Sequence, residues 1–307
     1  MTHNTTLFTC SLEVASAFEQ KKPIVALEST VITHGLPQPQ NLQLAQNMER
    51  TILAAGAVPA TIAVLDGKIQ VGLNPQQLER LASTQDAIKV SLRDFANCMT
   101  QGKPGGTTVA GTMFAARLAG IRVFATGGIG GVHKEARLDI STDLQALSNI
   151  PVMVVCAGAK SILDLPATLE YLETMGVPVV GYGTDTFPEF FSRGKDLPVS
   201  IRLDTPEEVV EFARRHWELG MQSGVLVCQP IAEQDAIPAD EISATLEQVS
   251  NEVRKLQAEH AMKGQEVTPY ELKRVNELSG GRSLRANLAL LLNNARLAAE
   301  LAIAENN

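Results

Sequence analysis

The amino-acid sequence predicts an α/β protein with a largely parallel sheet and a helical C-terminal third. One observation is a recurring order of helical segment, glycine, short β-branched strand and polar or glycine-rich loop. Strands that alternate with helices are typical of βαβ units, whose neighbouring strands run parallel. The other is that helical spacing dominates from Ile237 to the strongly apolar last helix, SLRANLALLLNNARLAAELAIA.

Four segments show this recurring order. They are ILAAGAVPATIAVLDG, AARLAGIRVFATGGIGG, LETMGVPVVGYGTD and WELGMQSGVLVCQP. In each segment a glycine follows the helix. A residue in the left-handed backbone conformation, most often glycine, commonly ends a helix. The spacing is irregular, which excludes a solenoid repeat. Because no Pro/Ser-rich linker divides the chain, we predict a single domain over residues 1–307.

Two helix starts have the letters of a capping box, TPEE at Thr205–Glu208 and TPYE at Thr268–Glu271. Each combines an N-cap threonine, a proline at the first helical position and a glutamate two residues after it. We therefore predict that one helix begins at each.

The composition excludes several classes of protein. Of the 307 residues, 45% are hydrophobic and 20% charged, as in an ordinary globular protein. The net charge of −8 excludes a broad nucleic-acid surface, and 4% aromatic residues argue against a stacking platform for single strands. An anionic small substrate remains compatible with a locally basic site.

The cysteines and the N-terminus indicate a cytoplasmic protein. None of the four cysteines forms a C-x-x-C pair, and Cys156 and Cys228 each end a valine-rich run typical of a buried strand. We therefore expect neither a disulfide framework nor a zinc site. The N-terminus lacks the pattern of a signal peptide, and no apolar run approaches the ~20 residues that a membrane span needs.

Lys160 follows the β-branched run VMVVC and three small residues, and a helical segment comes after it. Ligands of open α/β sheets bind at the carboxyl ends of strands. A lysine held there by apolar residues can lose its charge and act as a nucleophile. The alternative is a solvated lysine that closes a turn, which lysine frequencies alone favour.

Two further loops follow predicted strands. Glu28 comes directly after Val25-Ala26-Leu27 and is a candidate general acid, or a solvated glutamate. Gly105-Gly106-Thr107-Thr108 is predicted to open a helix. The free N–H groups at this helix start suit a phosphate, and the alternative is a capped helix start that binds no ligand. It is not a P-loop, because the order G-x-x-x-x-G-K-[ST] is absent.

The segment ATGGIGGVHKEARLDISTDL combines glycines with polar side chains. Its four glycines at 127, 128, 130 and 131 would let the backbone approach a ligand closely. His133, Asp139, Ser141 and Asp143 follow, and one or two carboxylates with waters suit Mg²⁺ or Mn²⁺ better than Zn²⁺. The alternative is that Asp139 or Ser141 caps the next helix.

Asn287 lies on the apolar face of the last helix, three residues after Leu284 and four before Leu291. A buried asparagine needs hydrogen-bond partners, which are a ligand or neighbouring backbone. Helical spacing favours the backbone.

Five of these stretches resemble the motifs of pseudouridine-5′-phosphate glycosidases, a family related to the indigoidine synthase A proteins. They are VALESTVITHGLPQPQN, TTVAGTM, VFATGGIGGVH, DISTDL and CAGAKSILDL. The resemblance runs from about Leu7 to the C-terminal helix. It implies α/β/α layers around a bifurcated sheet, a homotrimer, and the substrates pseudouridine 5′-phosphate, uracil and ribose 5-phosphate.

The resemblance also implies roles for individual residues. Lys160 would be the nucleophile that forms an imine with the sugar, and Glu28 the proton donor. Asp139 would hold Mn²⁺. The remaining matches, which would bind substrate, are Lys89, Val109, His133, Ser141, Thr142, Asp143 and Asn287.

Such an enzyme explains why a lysine stands at the end of a strand. Ordinary glycosidases protonate an oxygen or nitrogen leaving group. Pseudouridine instead joins C1′ of ribose to C5 of uracil, and C5 has no lone pair to protonate. An amine on C1′ supplies the electrons that let this bond break.

The rival interpretations are a related enzyme that couples a sugar phosphate to another nitrogenous partner, and a non-catalytic sugar-phosphate sensor.

Overall fold

The fold is that of a computed structural model, in which residues 7–134, 139–259 and 264–306 are described. Within these residues the strands are β1 (Phe8–Cys10), β2 (Ile24–Leu27), β3 (Val58–Leu65), β4 (Lys68–Val71), β5 (Ile88–Val90), β6 (Gly105–Thr107), β7 (Val123–Ala125), β8 (Met153–Cys156), β9 (Val179–Tyr182), β10 (Ile201–Leu203) and β11 (Val225–Cys228).

The helices of the described residues are α1 (Leu12–Glu19), α2 (Gln40–Ala54), α3 (Pro75–Ser83), α4 (Phe95–Gln101), α5 (Val109–Ala119), α6 (Thr142–Asn149), α7 (Leu165–Thr174), α8 (Pro206–Glu218), α9 (Ala239–Ala258), α10 (Gly264–Leu278) and α11 (Arg282–Asn306). A π-helix spans Val31–Gly35, and a 3₁₀ turn spans Glu233–Asp235.

The sheet is largely parallel, as the sequence predicts. Its strands lie in the order β1-β4-β3-β2-β7-β8-β11-β9-β10, with β5 and β6 on a branch. Only the pairings of β3 with β4 and of β3 with β6 are antiparallel within the described residues. The chain moves from β2 to β3 on one side and later places β7 on the other side of β2. This reversal of direction is where α/β sheets bind ligands.

The sheet divides at β3, which confirms the bifurcation that the resemblance implies. The first half of this strand, Val58–Thr61, pairs with β2. The second half, Ile62–Leu65, pairs with β4, and Ala63 and Val64 also pair with β6. The branch through β6 leads to β5, which bears Lys89.

Helices cover both faces of the sheet, so the layers are α/β/α. Alternate residues of a strand point to opposite faces. Accordingly, Val154 of β8 belongs to a first core beneath α1, α4, α5, α6 and α7. Its neighbours Met153 and Val155 belong to a second core beneath α2, α8, α9, α10 and α11. The fold class predicted from the sequence is therefore confirmed.

The glycines after four helices have the predicted left-handed conformation. The φ angles are +97° at Gly56, +90° at Gly120, +66° at Gly176 and +90° at Gly220. A side chain at such an angle is strained, which is why glycine ends these helices.

One of the two predicted helix starts is wrong. Thr205 caps α8 through a capping box with Glu208. The other motif, at Thr268–Glu271, lies inside α10, which begins at Gly264. A preceding turn already provides carbonyl acceptors there, so the local motif does not determine where the helix begins.

Two of the cysteines lie in buried strands, as predicted from their valine-rich runs. Cys156 and Cys228 end the neighbouring strands β8 and β11, are fully buried, and hold their sulfur atoms 4.0 Å apart as free thiols. No helix of the described residues is long and apolar enough to cross a membrane. Assembly of the whole chain as one domain stays a prediction.

Candidate active site

Glu28 and Thr126 meet at the carboxyl ends of two paired strands. Leu27 of β2 pairs with Ala125 of β7, so the residues that follow these partners are neighbours. The Thr126 hydroxyl donates a hydrogen bond to Oε1 of Glu28. Glu28 thus lies where the sheet reverses direction, with one carboxylate oxygen already engaged by the protein.

Lys160 approaches the same end of the sheet from the neighbouring strand β8. Its backbone N–H donates to the Ile129 carbonyl at 3.1 Å, which joins the Lys160 loop to the glycine-rich loop after β7. Gly158 has a φ of +83°, and a Cβ at this position would lie 1.9 Å from the carbonyl oxygen of Pro188. The backbone path that presents Lys160 therefore requires glycine.

Burial dominates the acidity of Glu28 and raises its pKa. The charge of Lys160 opposes this rise, as do the hydrogen bond from Thr126 and, more weakly, the charge of Lys89. The negative charge of Asp143 adds to the rise. A carboxyl group in these surroundings holds its proton to a higher pH than an exposed glutamate, which suits a general acid.

Lys89 and His133 belong to the same electrostatic cluster. Burial lowers the pKa of Lys89, and Lys160 lowers it further, while Asp143 and Glu28 oppose the change. Burial also lowers the pKa of His133, where Asp139 opposes the effect and the two lysines strengthen it. The structure therefore brings six predicted site residues together from four separate segments of the chain, namely Glu28, Lys89, the group His133, Asp139 and Asp143, and Lys160.

The segment Ser141–Asp143 organises the backbone around the cluster. Ser141 caps α6, and its Oγ accepts from the Asp143 N–H at 3.2 Å. The buried Asp143 carboxylate accepts from the backbone N–H of Ala110 at 2.9 Å and of Gly130 at 2.8 Å. Asp143 thus links the start of α5 to the glycine-rich loop. Thr142 is the first residue of α6, and a substrate contact by this segment stays a prediction.

Val109 and Asn287 are placed differently. The Val109 side chain is buried in the first core, so only its backbone is available to a substrate. Asn287 is half-buried on α11, and its side-chain amide makes no hydrogen bond within the described part of the chain. The expectation of a buried Asn287 bonded to neighbouring backbone is therefore wrong, and its amide is available to a ligand.

The glycines predicted to approach a ligand approach protein atoms instead. A Cβ at Gly130 would lie 2.2 Å from Oγ of Ser141, and one at Gly131 would lie 2.3 Å from Oγ1 of Thr168. Gly105 and Gly106 are in strand β6 rather than at a helix start, and a Cβ at Gly106 would lie 2.2 Å from Oγ1 of Thr33. Close packing of loops around the cluster explains these glycines.

Asp139 is exposed at the edge of the cluster. Its backbone carbonyl accepts from the His133 N–H at 3.0 Å. Among the described residues, no group of three His, Cys, Asp or Glu side chains could hold a metal ion. One exposed carboxylate fits a divalent cation only if water molecules supply most of its ligands. The donor set is thus compatible with a weakly held Mn²⁺.

Sequence reasoning missed three polar residues around the cluster: Thr126, His34 and Asn294. Thr126 could have been found, because it is the first polar residue after a buried strand. His34 lies in the π-helix that follows Glu28, and its Nδ1 is 2.7 Å from the Thr33 hydroxyl. Burial and the charge of Lys89 lower the pKa of His34. No local sequence pattern marks Asn294, whose partners are 168 and 167 residues away.

Comparisons with known proteins identify the family of the chain. Residues 13–304 match the family model described as indigoidine synthase A like protein. A pseudouridine-5′-phosphate glycosidase of Solibacter usitatus is 53% identical over 292 residues, which are 94% of this chain and 96% of the relative. One of Geobacillus kaustophilus is 53% identical over 294 residues, 95% of this chain and 96% of the relative.

Two solved structures share the fold. The prealnumycin C-glycosynthase AlnA in complex with ribulose 5-phosphate has a TM-score of 0.89 and 41% identity, covering 98% of this chain and 97% of its own. An indigoidine synthase A-like protein of Thermotoga maritima has a TM-score of 0.89 and 37% identity, covering 100% and 99%. The chain therefore belongs to the indigoidine synthase A like protein family, which includes relatives named pseudouridine-5′-phosphate glycosidase.

Proposed function

We propose that this protein is a pseudouridine-5′-phosphate glycosidase that reversibly cleaves the substrate to uracil and ribose 5-phosphate. The observation that carries the proposal is the placement of a lysine beside a carboxyl group of raised pKa at the reversal point of the sheet. The names of the 53% identical relatives support this substrate. The ribulose 5-phosphate bound by AlnA, which is named a C-glycosynthase, supports a sugar-phosphate site.

The proposed reaction begins with opening of the ribose ring. Glu28 donates a proton to the ring oxygen, the bond between C1′ and that oxygen breaks, and Nζ of Lys160 forms a bond to C1′. The neutral amine is the reactive form, and the proton that it loses on bonding returns to the Glu28 carboxylate. Proximity of the two groups makes this exchange an intramolecular one.

The carbon–carbon bond breaks in the second stage. The proton that Glu28 has regained is transferred to C5 of uracil, and the electrons of the C1′–C5 bond return to the uracil ring. The nitrogen lone pair of Lys160 stabilises C1′ as an iminium. Water then adds to C1′ and releases ribose 5-phosphate, which regenerates the amine and returns a proton to Glu28. This sequence needs no oxidant or reductant.

The other residues would bind and orient the substrate. Lys89 and His133 would contact its anionic groups, and Asp143 and Ser141 would hold the loops that surround it. Thr142, the Val109 backbone and the Asn287 amide complete the proposed contacts.

Asp139 would hold a Mn²⁺ ion, which supplies positive charge next to the substrate when bound. Chelation should lower activity and added Mn²⁺ should restore it, whereas full turnover in metal-free buffer would contradict this assignment.

Borohydride trapping tests the proposal directly. We expect uracil release from pseudouridine 5′-phosphate, and a ribose 5-phosphate adduct on Lys160 when borohydride is added during turnover. Lys160→Ala should form no adduct and lose most activity, because no other group replaces the nucleophile. Lys195→Ala, at an exposed lysine outside the cluster, is the matched control and should form the adduct normally. An adduct on Lys89 in the wild-type protein would contradict the assigned roles.

A second candidate is a related synthase that couples a sugar phosphate to another nitrogenous partner. The structural similarity to AlnA favours it, because that relative is named a C-glycosynthase. Uracil release discriminates the two, since only the glycosidase produces uracil from pseudouridine 5′-phosphate.

We also expect a homotrimer from the resemblance, which light scattering coupled to size-exclusion chromatography would test.

A further inference from the structure

Asn294 is a polar residue in one of the most apolar parts of the fold. Its side chain is 1% exposed on α11. Buried apolar residues precede and follow it along the same helix: Leu290, Leu291, Ala295, Leu297 and Ala298. Its Oδ1 is buried without a hydrogen-bond partner among the described residues. A leucine here would remove the unpaired Oδ1 but would also remove the amide donor, so the asparagine is explained by what its Nδ2 binds.

The amide nitrogen of Asn294 reaches the segment that contacts the proposed acid. Nδ2 donates to the carbonyl of Thr126 at 2.8 Å and lies 3.4 Å from the carbonyl of Gly127. Thr126 is the residue whose hydroxyl donates to Glu28. One continuous set of hydrogen bonds therefore runs from the last helix to the Glu28 carboxylate.

The Thr126 N–H donates to the Val155 carbonyl and the Gly127 carbonyl accepts from the Ala157 N–H, so the Thr126 carbonyl is the backbone group that is left for Asn294 to hold. Thr126 is the last residue before Gly127-Gly128, and glycine restricts the backbone less than other residues. A carbonyl held by Asn294 fixes the peptide orientation of Thr126, and the hydroxyl direction depends on that orientation. Packing of Leu290 and Leu291 against Gly127 keeps α11 close to the loop but does not orient a carbonyl.

We propose that Asn294 is a positioning residue that holds Thr126 so that its hydroxyl donates to Glu28, and thereby sets how readily Glu28 releases its proton. The inference rests on the proposed function only in calling Glu28 the proton donor. The hydroxyl bond favours the ionised carboxylate and so lowers the pKa of Glu28 against the effect of burial. Losing it should make Glu28 a weaker acid.

The first test measures Glu28 without using activity. Protein containing ¹³C-carboxyl glutamate is titrated by NMR, and the Glu28 signal is identified by its loss in Glu28→Gln. A hydrogen bond to a charged group is large enough to move a titration by about one pH unit. We expect the Glu28 midpoint to move upward by about that amount in Asn294→Leu and in Thr126→Val. An unchanged midpoint in Asn294→Leu would overturn the proposal, even if the protein released no uracil.

A double-mutant cycle then tests whether Asn294 acts through Thr126. We expect kcat to fall about 10- to 100-fold in Asn294→Leu, as for a small misplacement of a reacting group. The variant Asn294→Leu/Thr126→Val should be no worse than Thr126→Val alone, because both changes remove the same contact. Multiplicative losses in the double variant would show that Asn294 acts elsewhere and would overturn the proposal.

Stability controls separate positioning from folding. Asn294→Leu should change the thermal midpoint little, because the loss of the unpaired Oδ1 offsets the loss of the hydrogen bond to the Thr126 carbonyl. Leu301→Ala removes buried volume two turns further along α11 and should lower the midpoint without moving the Glu28 titration. If Leu301→Ala moved the titration as much as Asn294→Leu, general loosening of α11 would replace the proposed role.

Discussion

The proposed acid, Glu28, is a single side chain on which opposing influences act. Burial raises its pKa, and the nearest cation, Lys160, lowers it. The net direction is upward, so the protonated form persists to higher pH than in an exposed glutamate. Activity that depends on this proton should therefore decline as the pH rises past the elevated value, and not at the ordinary value near 4.5.

Replacing Glu28 by glutamine should lower kcat by about 10² to 10⁴, the usual worth of general acid catalysis. KM should change much less, because glutamine keeps the shape and hydrogen-bonding capacity. The residual activity should also lose its decline at high pH. Glu49→Gln is a matched control, because Glu49 is another glutamate with a burial-raised pKa and accepts from a threonine hydroxyl, that of Thr61, at 2.6 Å. An equal loss in Glu49→Gln, or a change in KM alone in Glu28→Gln, would contradict the assigned role.

A third carboxyl group, Glu271, should make stability depend on pH. It lies between Val267 and Val275 on the buried side of α10, is 5% exposed, and has one oxygen without a partner among the described residues. Burial raises its pKa to about 7 from an ordinary value of 4.5, partly offset by Lys134. The folded state thus binds the proton more tightly than the unfolded state. Stability should fall as the pH rises from 4.5 to about 7, and then level off.

Glu271→Leu should therefore stabilise the protein more at pH 8 than at pH 5, by up to about 3 kcal/mol. Urea denaturation at both pH values measures this difference. Glu247→Leu changes an exposed carboxyl of the neighbouring helix α9 and should have the same effect at both pH values. Equal stabilisation by Glu271→Leu at pH 5 and pH 8 would show that its carboxyl is not buried in the folded protein.

At the scale of elements, the loop after β8 packs against a second loop, which follows β9 and contains Phe187, Phe190 and Phe191. The Phe190 N–H donates to the Ala157 carbonyl at 3.0 Å, and Gly158 forms a bridge with Glu189. Phe187, Phe190 and Phe191 are buried and hold this second loop in place. The loop that bears Lys160 is therefore supported from below by the loop that contains these phenylalanines.

Gly158→Ala should displace both loops. The new Cβ would lie 1.9 Å from the Pro188 carbonyl oxygen, and the φ of +83° is unfavourable for alanine. Gly176→Ala has the same kind of backbone strain, with a φ of +66°, but nothing lies within 4 Å of its Cβ. The control should lose about 1 kcal/mol and keep its activity. Gly158→Ala should lose more stability and most uracil release, and similar behaviour of the two variants would contradict the packing argument.

The elements also show what the sequence could predict. The alternation of helical and β-branched segments, together with the glycines that follow helices, predicted the helices, the strands and the parallel sheet. Glu28 and Lys160 were recognisable because each follows a buried strand at the binding edge. Thr205 and Thr268 have nearly the same motif, yet only Thr205 begins a helix, because the turn preceding Thr268 is also helical. The bonds of Asn294 to Thr126 and Gly127 were not predictable, since they depend on how α11 packs across the sheet.

At the scale of the whole molecule, the net charge does not determine the charges that a ligand meets at the site. The chain carries a net charge of −8, while Lys89 and Lys160 lie in one cluster. At physiological ionic strength, charges beyond about 8 Å are largely screened. A phosphorylated substrate in the site therefore responds mainly to the charges of the cluster, which include Lys89 and Lys160. An acidic protein can bind an anion for this reason.

The two cores share one sheet, and we expect them to unfold together. The only tryptophan, Trp217, packs against the second core and donates from Nε1 to the Ser223 carbonyl at 2.9 Å. Its fluorescence reports the second core, while far-UV circular dichroism reports all the helices. Leu172 is fully buried in the first core, on the opposite face of the sheet. Leu172→Ala should cost about 2–5 kcal/mol, as for other large-to-small core substitutions.

If residues 1–307 form one domain, the two probes should give coincident urea transitions in the wild-type protein, and Leu172→Ala should shift both equally. Leu301→Ala, in the second core, is the reciprocal variant and should also shift both. A circular-dichroism transition that moved in Leu172→Ala while the Trp217 transition stayed in place would show two independent units. Coupling is expected because the four central strands β2, β7, β8 and β11 contribute alternate side chains to both cores. If the helices on one face unfolded, the sheet that the other face packs against would be exposed to water.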